Sequence, residues 1–168
     1  MQIYPKVYCE KVTDISIEML KKQSIKALIL DVDNTLIDYD RNMLPGLEKW
    51  IEDIKKENIK CIIVSNSNKK EKVENVAQKL DIPYIFFATK PLKRGFKKAI
   101  KMLGITNNKE IAVVGDQIFT DVIGANRLEM FSILVKPINE KDIFITKWKR
   151  PIEEKILQNY FKKQNTKD

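Results

Sequence analysis

Ala27-Leu28-Ile29-Leu30-Asp31-Val32-Asp33-Asn34-Thr35-Leu36 sets two carboxylates two residues apart at the point where an apolar run ends. The short apolar run predicts a buried strand, and the acids mark its C-terminal end. In an extended segment, side chains at i and i+2 point the same way, so Asp31 and Asp33 can address one small site. Like charges held that close repel unless a cation lies between them or one carboxyl keeps its proton. A divalent metal with a nucleophile and an acid satisfies these conditions, although acidic pairs at strand ends also occur in turns and helix caps.

Outward from this stretch, Ile25 to Leu30, Cys61 to Val64, Tyr84 to Phe87, Ile111 to Val114 and Phe131 to Val135 are short, β-branched or aromatic runs that read as five buried strands. Charged, helically periodic segments alternate with them. Leu44 to Glu57 has Pro45 near its start and Leu47, Trp50, Ile51 and Ile54 on one face; Lys69 to Leu80 repeats the pattern; Phe96 to Leu103 is a helix that Gly104 can end. Alternating β and α elements predict an α/β fold, a parallel sheet with helices on both faces. Ligands of such sheets bind outside the carboxyl ends of the strands. Ser65 ends the second run, Lys90 lies in Thr89-Lys90-Pro91 after the third, and Asp116 and Asp121 follow the fourth in Gly115-Asp116-Gln117-Ile118-Phe119-Thr120-Asp121. Taken singly, Ser65 also reads as a turn residue, Lys90 as a surface lysine and Asp121 as a helix N-cap.

At 168 residues the chain reads as one domain, with a core at about 24–136 and a basic helical segment at about 145–163, long enough to bury a substantial interior. Its formal charge of +8 favours anionic partners such as phosphates, nucleic acid or acidic lipid surfaces. The absence of histidine removes the commonest general base and the commonest zinc ligand, leaving proton chemistry to carboxylates or lysine. No Gly-x-x-x-x-Gly-Lys-Ser/Thr loop supports P-loop nucleotide chemistry. Cys9 and Cys61 have no metal-type spacing, and Cys61 reads as a small buried hydrophobe, which fits a reducing cytoplasm. Nothing resembles a signal peptide or a membrane-length apolar run, so the expectation is a cytoplasmic protein, at most peripheral at the inner face of the membrane.

Tyr4 to Tyr8 reads as an irregular lead-in and Ile17 to Lys22 as a short helix. From Ile145 to Phe161, Trp148, Ile152, Ile156, Leu157, Tyr160 and Phe161 mix with Lys147, Lys149, Arg150 and Lys155, and Lys162 and Lys163 follow. Such a basic amphipathic helix can lie on an anionic membrane, or its apolar stripe can dock on the domain and leave the lysines solvated; the second is the simpler expectation.

Asp31-Val32-Asp33-Asn34-Thr35 resembles the DxDxT motif of the haloacid dehalogenase (HAD) phosphatases, and Ser65, Lys90 and the pair Asp116 and Asp121 follow in that superfamily's order. Ser24 to Ala27, Val64 to Asn68, Lys90-Pro91 and the Gly115 to Asp121 loop extend the resemblance to the YqeG branch of subfamily IIIA, related to the phosphatidylglycerophosphate phosphatases, over about residues 1–155. The resemblance implies a Rossmannoid three-layer sandwich with a mainly parallel five-stranded sheet in the order five-four-one-two-three. It implies a Mg²⁺-dependent phosphomonoester hydrolase working through an aspartyl-phosphate. Asp31 is then the nucleophile and Asp33 the general acid and base. Ser65 and the N–H of Asn66 bind phosphoryl oxygens, with Lys90 neutralising their charge and Lys93 a second candidate for that task. Asp31, the backbone carbonyl of Asp33, Asp116 and Asp121 take the metal. Thr35 is expected to turn the chain and steady it through its hydroxyl, while Asn34 and Asn66 read equally as left-handed turn residues.

About 30 residues separate Asp31 from Ser65 and about 25 separate Ser65 from Lys90, room for one helix each and not for a cap domain. A capless cleft suits a phosphate displayed on something large, first a lipid headgroup as in phosphatidylglycerophosphate. A nucleic-acid end or a nucleotide is the second reading; no clustered aromatic platform announces base stacking, so nucleic acid is not an expected partner. A non-catalytic interaction module is the third, and the presence of both Asp31 and Asp33 weighs against it.

Overall fold

The computed structural model describes residues 2–139 and 150–165. Six strands, β1 (Val7–Cys9), β2 (Ala27–Leu30), β3 (Lys60–Val64), β4 (Tyr84–Ile85), β5 (Ile111–Gly115) and β6 (Phe131–Val135), form one sheet in the order β1-β6-β5-β2-β3-β4. All the pairings are parallel. The expected order five-four-one-two-three is present as β6-β5-β2-β3-β4. The sheet has six strands and not five, because part of the stretch expected as an irregular lead-in pairs with β6, Val7 opposite Ile133. Three residues are too few for side-chain alternation to announce a strand; main-chain pairing at an open sheet edge makes it one.

The helices are α1 (Ile17–Lys22), α2 (Leu47–Lys56), α3 (Lys70–Leu80), α4 (Lys93–Leu103), α5 (Ile123–Asn126) and α6 (Arg150–Asn165). Alternate residues of β2 face opposite layers. Leu28 and Leu30 join Ile51 and Ile54 of α2 and Val73 and Ala77 of α3; Ala27 and Ile29 join Phe96 and Ala99 of α4 and Ala125 of α5. A parallel strand covered on both faces reads as a continuous apolar run, and β2 is buried throughout. Gly104 ends α4 in the left-handed region at φ 66°, its N–H meeting the carbonyls of Ile100 and Lys101. Cys61 is buried, and burial pushes its thiol up to about 12, an inert hydrophobe as expected.

Only a short turn, in which Ile37 bridges Met43, and α2 lie between β2 and β3; α3 alone fills the next crossover. Nothing in either crossover covers the C-terminal edge of the sheet as a cap. On α6, Tyr160 is buried and stacks 6.4 Å from Tyr4, and Phe161 sets its edge on Tyr8 at 5.2 Å. Tyr160 is thus turned to the domain, whereas Phe161 stays 41% exposed despite its edge contact, and Lys147, Trp148 and Lys149 lie outside the described residues. Among the described residues no helix is long and apolar enough to cross a membrane.

A Cβ on Gly124 of α5 would overlap the ring of Phe96, which is fully buried on α4. Overpacking of this kind costs about 1–3 kcal/mol. Gly124→Ala is expected to lower the urea midpoint accordingly, and Phe96→Leu, which makes room, should cost less in the Gly124→Ala background than in the wild type.

Candidate active site

The turn after β2 builds the first part of the site. The Asp31 N–H still donates to the Val114 carbonyl at 2.9 Å, holding the residue in register as the strand ends. The Val32 carbonyl then accepts from the N–H groups of Thr35, Leu36 and Ile37, and Asn34 adopts the left-handed conformation at φ 59°. Main-chain bonds alone fold the chain back. The Thr35 hydroxyl, expected to steady the turn, is buried with no hydrogen-bond partner among the described residues; its part in the turn is played by its backbone.

Oxygens of Asp31, Asp116 and Asp121 lie within 4.8 Å of one another, and all three side chains are buried. The ammonium of Lys90, 3% exposed, donates to Asp31 Oδ1 at 2.6 Å and to Asp121 Oδ1 at 2.7 Å. Burial opposes its charge, but the carboxylates of Asp121 and Asp31 outweigh that and hold Lys90 above the ordinary lysine value. Burial pushes the Asp31 carboxyl up to about 7, with Lys90 pulling the other way and Asp121 adding to the rise. Lys93, the second candidate, is exposed at the start of α4 and has no place in this cluster.

Lys90 reaches the cluster because Asn66 grips its main chain. Asn66 Oδ1 accepts from the Lys90 N–H at 2.6 Å, and its Nδ2 donates to the Lys90 carbonyl at 3.0 Å. The Asn66 side chain is therefore a clamp on the lysine loop. Ser65, fully buried at the end of β3, accepts through Oγ from the Ser67 N–H at 3.1 Å. Room for Asp121 comes from Gly115: a Cβ there would fall on the Asp121 carboxylate, so only glycine admits it. Asp121 Oδ2 also accepts from the Gln117 N–H at 3.2 Å, which closes the acidic loop on itself.

Asp33 stands apart from the buried cluster, 42% exposed, with Lys72 Nζ of α3 donating to its Oδ1 at 2.5 Å. Sequence reading missed Lys72; its one signal was a cation on the first turn of the helix that follows Ser65, a helix that starts at the edge where the site lies. Glu153 of α6 was missed as well, and its Oε1 accepts from the Phe119 N–H at 3.0 Å, in the loop that carries Asp121. A cavity of about 400 Å³ opens next to Asp116, between the end of β6 and α6, with Ile118, Leu134 and Leu157 in its wall.

Three carboxylates converging within 4.8 Å form an all-oxygen donor set that a hard divalent ion, coordinating at about 2.0–2.6 Å, can join with little movement. The residues present fit a hard divalent cation. The exposed carboxyl of Asp33 beside the buried carboxyl of Asp31 separates two roles, one group able to meet water and a leaving group and one held in a dry, charged nest.

Comparison with known proteins gives the family. Residues 1–139 match the family described as mitochondrial PGP phosphatase, PGP being phosphatidylglycerophosphate. The chain is 38% identical over 154 residues to the Bacillus subtilis (strain 168) protein named "Probable phosphatase YqeG", covering 91% of this chain and 88% of the relative. It is 32% identical over 127 residues to the mitochondrial phosphatidylglycerophosphatase GEP4 of Saccharomyces cerevisiae, covering 67% and 68%. A crystal structure of an uncharacterized protein from Listeria monocytogenes serotype 4b shares the fold at a TM-score of 0.57 and 21% identity, covering 71% of this chain and 85% of the other.

Removing the Lys90 ammonium leaves buried carboxylates without their partner, a change that costs about 3–5 kcal/mol. Lys90→Met is expected to lose stability on that scale in chelator, whereas Lys93→Met, on the surface, should stay within about 0.5 kcal/mol. Denaturant titrations of the two variants check the ranking.

Proposed function

The chain belongs to the mitochondrial PGP phosphatase family, and on that premise we propose that it is a Mg²⁺-dependent phosphatase of the HAD superfamily that hydrolyses phosphatidylglycerophosphate through an aspartyl-phosphate, with residues 24–136 as its catalytic core. The observation that carries the reading is the Lys90 ammonium bridging Asp31 and Asp121, with Asp116 alongside and Asp33 two residues from Asp31. Lys90 engages Asp31 Oδ1, which leaves Oδ2 to attack phosphorus. As the new P–O bond forms, the ester P–O bond breaks, and Asp33 delivers a proton to the departing oxygen. Asp33, now ionised, takes a proton from the water that attacks the aspartyl-phosphate, and the bond to Asp31 opens to release phosphate.

Ser65, the N–H of Asn66 and Lys90 are the groups offered to the phosphoryl oxygens, whose charge spreads during transfer. Lys72 holds the Asp33 carboxyl toward the mouth of the site. Asp31, the Asp33 carbonyl, Asp116 and Asp121 would hold Mg²⁺, which would supply the positive charge that an anionic nucleophile needs to meet an anionic phosphate. A capless site accepts a phosphate presented at a bilayer, and the names of the relatives supply the substrate. On this reading the protein is a peripheral visitor at the cytoplasmic face of a membrane.

Asp31→Asn should fold as the wild type does and release no phosphate from phosphatidylglycerophosphate in detergent micelles, because an amide forms no aspartyl-phosphate. Asp33→Asn should be severely impaired. Full turnover by Asp31→Asn would remove the nucleophile from this scheme. In chelator the wild type should be inactive, regain activity with Mg²⁺ and gain thermal stability as the ion binds the native state; activity unchanged in excess chelator would refute the metal requirement.

A further inference from the structure

The edge of the sheet that carries the site also carries an unusual surface beside Lys90. From Ile82 to Lys109 the chain holds no acidic residue, and Lys93, Arg94, Lys97 and Lys98 are exposed on the first two turns of α4. In the loop between β4 and α4, Phe86, Phe87 and Leu92 are 38%, 62% and 56% exposed. Phe87 sits in the left-handed region at φ 49°, a conformation that a bulky residue adopts only when its surroundings impose it. The imposing contacts are visible: the Phe87 N–H donates to the Ser67 carbonyl and the Ala88 N–H to the Ser65 carbonyl, each at 2.9 Å. The loop that holds Phe87 outward is thereby fastened to the turn carrying Ser65. Large apolar side chains ordinarily go inside, and here three stand outside in one loop that leads into a helix whose charged residues are all cations.

We propose that Phe86, Phe87 and Leu92, with the exposed cations of α4, form a docking surface for an anionic lipid bilayer that seats the active site at headgroup level. Its purpose rests on the lipid-substrate reading above; its chemistry does not. Cations are drawn to an anionic leaflet, and neighbouring apolar side chains enter the boundary between headgroups and acyl chains. An exposed leucine offers nothing to a nucleic acid, whose bases stack on aromatic faces, so the mixture favours lipid. Tyr39, 72% exposed, lies between Asp38 and Asp40 and is left outside the surface. Tyr160 of α6 is buried against Tyr4, and Phe161, although 41% exposed, sets its edge on Tyr8, so neither is counted among the anchors.

The test uses the full chain and vesicles of phosphatidylcholine, alone or mixed with phosphatidylglycerol, which carries no phosphomonoester. The wild type is expected to sediment with the anionic vesicles, less so as salt is raised. Phe87→Ser/Leu92→Ser and Arg94→Glu/Lys97→Glu should each lower the partition coefficient at least tenfold while hydrolysis of a soluble phosphate ester keeps its kcat/KM. Phe161→Ser should stay within twofold. In Phe87→Trp, anionic vesicles should shift the emission of the introduced indole to the blue, and brominated lipid should quench it. The proposal is overturned if the wild type ignores anionic vesicles, if both double variants bind as the wild type does, if the emission of Phe87→Trp does not move, or if the same double variants abolish a tighter binding to single-stranded DNA. Failure of the substrate reading looks different: vesicle binding persists while phosphatidylglycerophosphate in micelles is not hydrolysed.

Discussion

One ammonium group, that of Lys90, is the constraint around which the site is arranged. It joins Asp31 at the end of β2 to Asp121 in the loop after β5, inside a region where an unpaired charge would be costly. Burial forces the pairing, and the pairing fixes the geometry. Asn66 grips the lysine main chain, Gly115 clears space for the Asp121 carboxyl, and the parallel order sets β2 between the strands that deliver Ser65 and Asp116. Each device has meaning only because the others are present. Sites built this way sacrifice stability for function, since carboxylates gathered in a dry place repel until a cation joins them.

Much of this architecture could be read before the structure. β-rich runs alternating with amphipathic segments announced the sheet, and the positions of Asp31, Ser65, Lys90, Asp116 and Asp121 at or after strand ends announced one shared edge. The choice of Lys90 over Lys93 rested on resemblance; the structure shows that the two differ in setting, one buried against acids and the other solvated. What escaped reading was contact across distance. Lys72 meets Asp33 over 39 residues and Glu153 meets the Phe119 N–H over 34, and no local pattern distinguishes these side chains from their solvated neighbours. β1 escaped because three residues have no periodicity to detect. Asn66 was read through its backbone, whereas its amide side chain, with a donor and an acceptor side by side, matches a peptide group held at both ends.

The division of labour proposed for the two motif aspartates would follow from depth. Asp31 lies under the edge of the sheet against Lys90, while Asp33 lies at the mouth against Lys72. Two identical side chains, two residues apart, thus face different dielectric surroundings, and one fold can ask one of them to form a bond to phosphorus and the other to exchange protons with the medium. α6 contributes from the far side by tying Glu153 to the acidic loop, so a helix that carries none of the motif residues has a hand in where Asp121 stands.

The sheet's outermost strands, β1 and β4, are three and two residues long. A long open edge is a template on which another chain can add a strand, and repeated addition leads to aggregates. Edges this short present too few free main-chain groups to start that process. A sheet with edges this brief resists strand addition even where copies of the chain are crowded together.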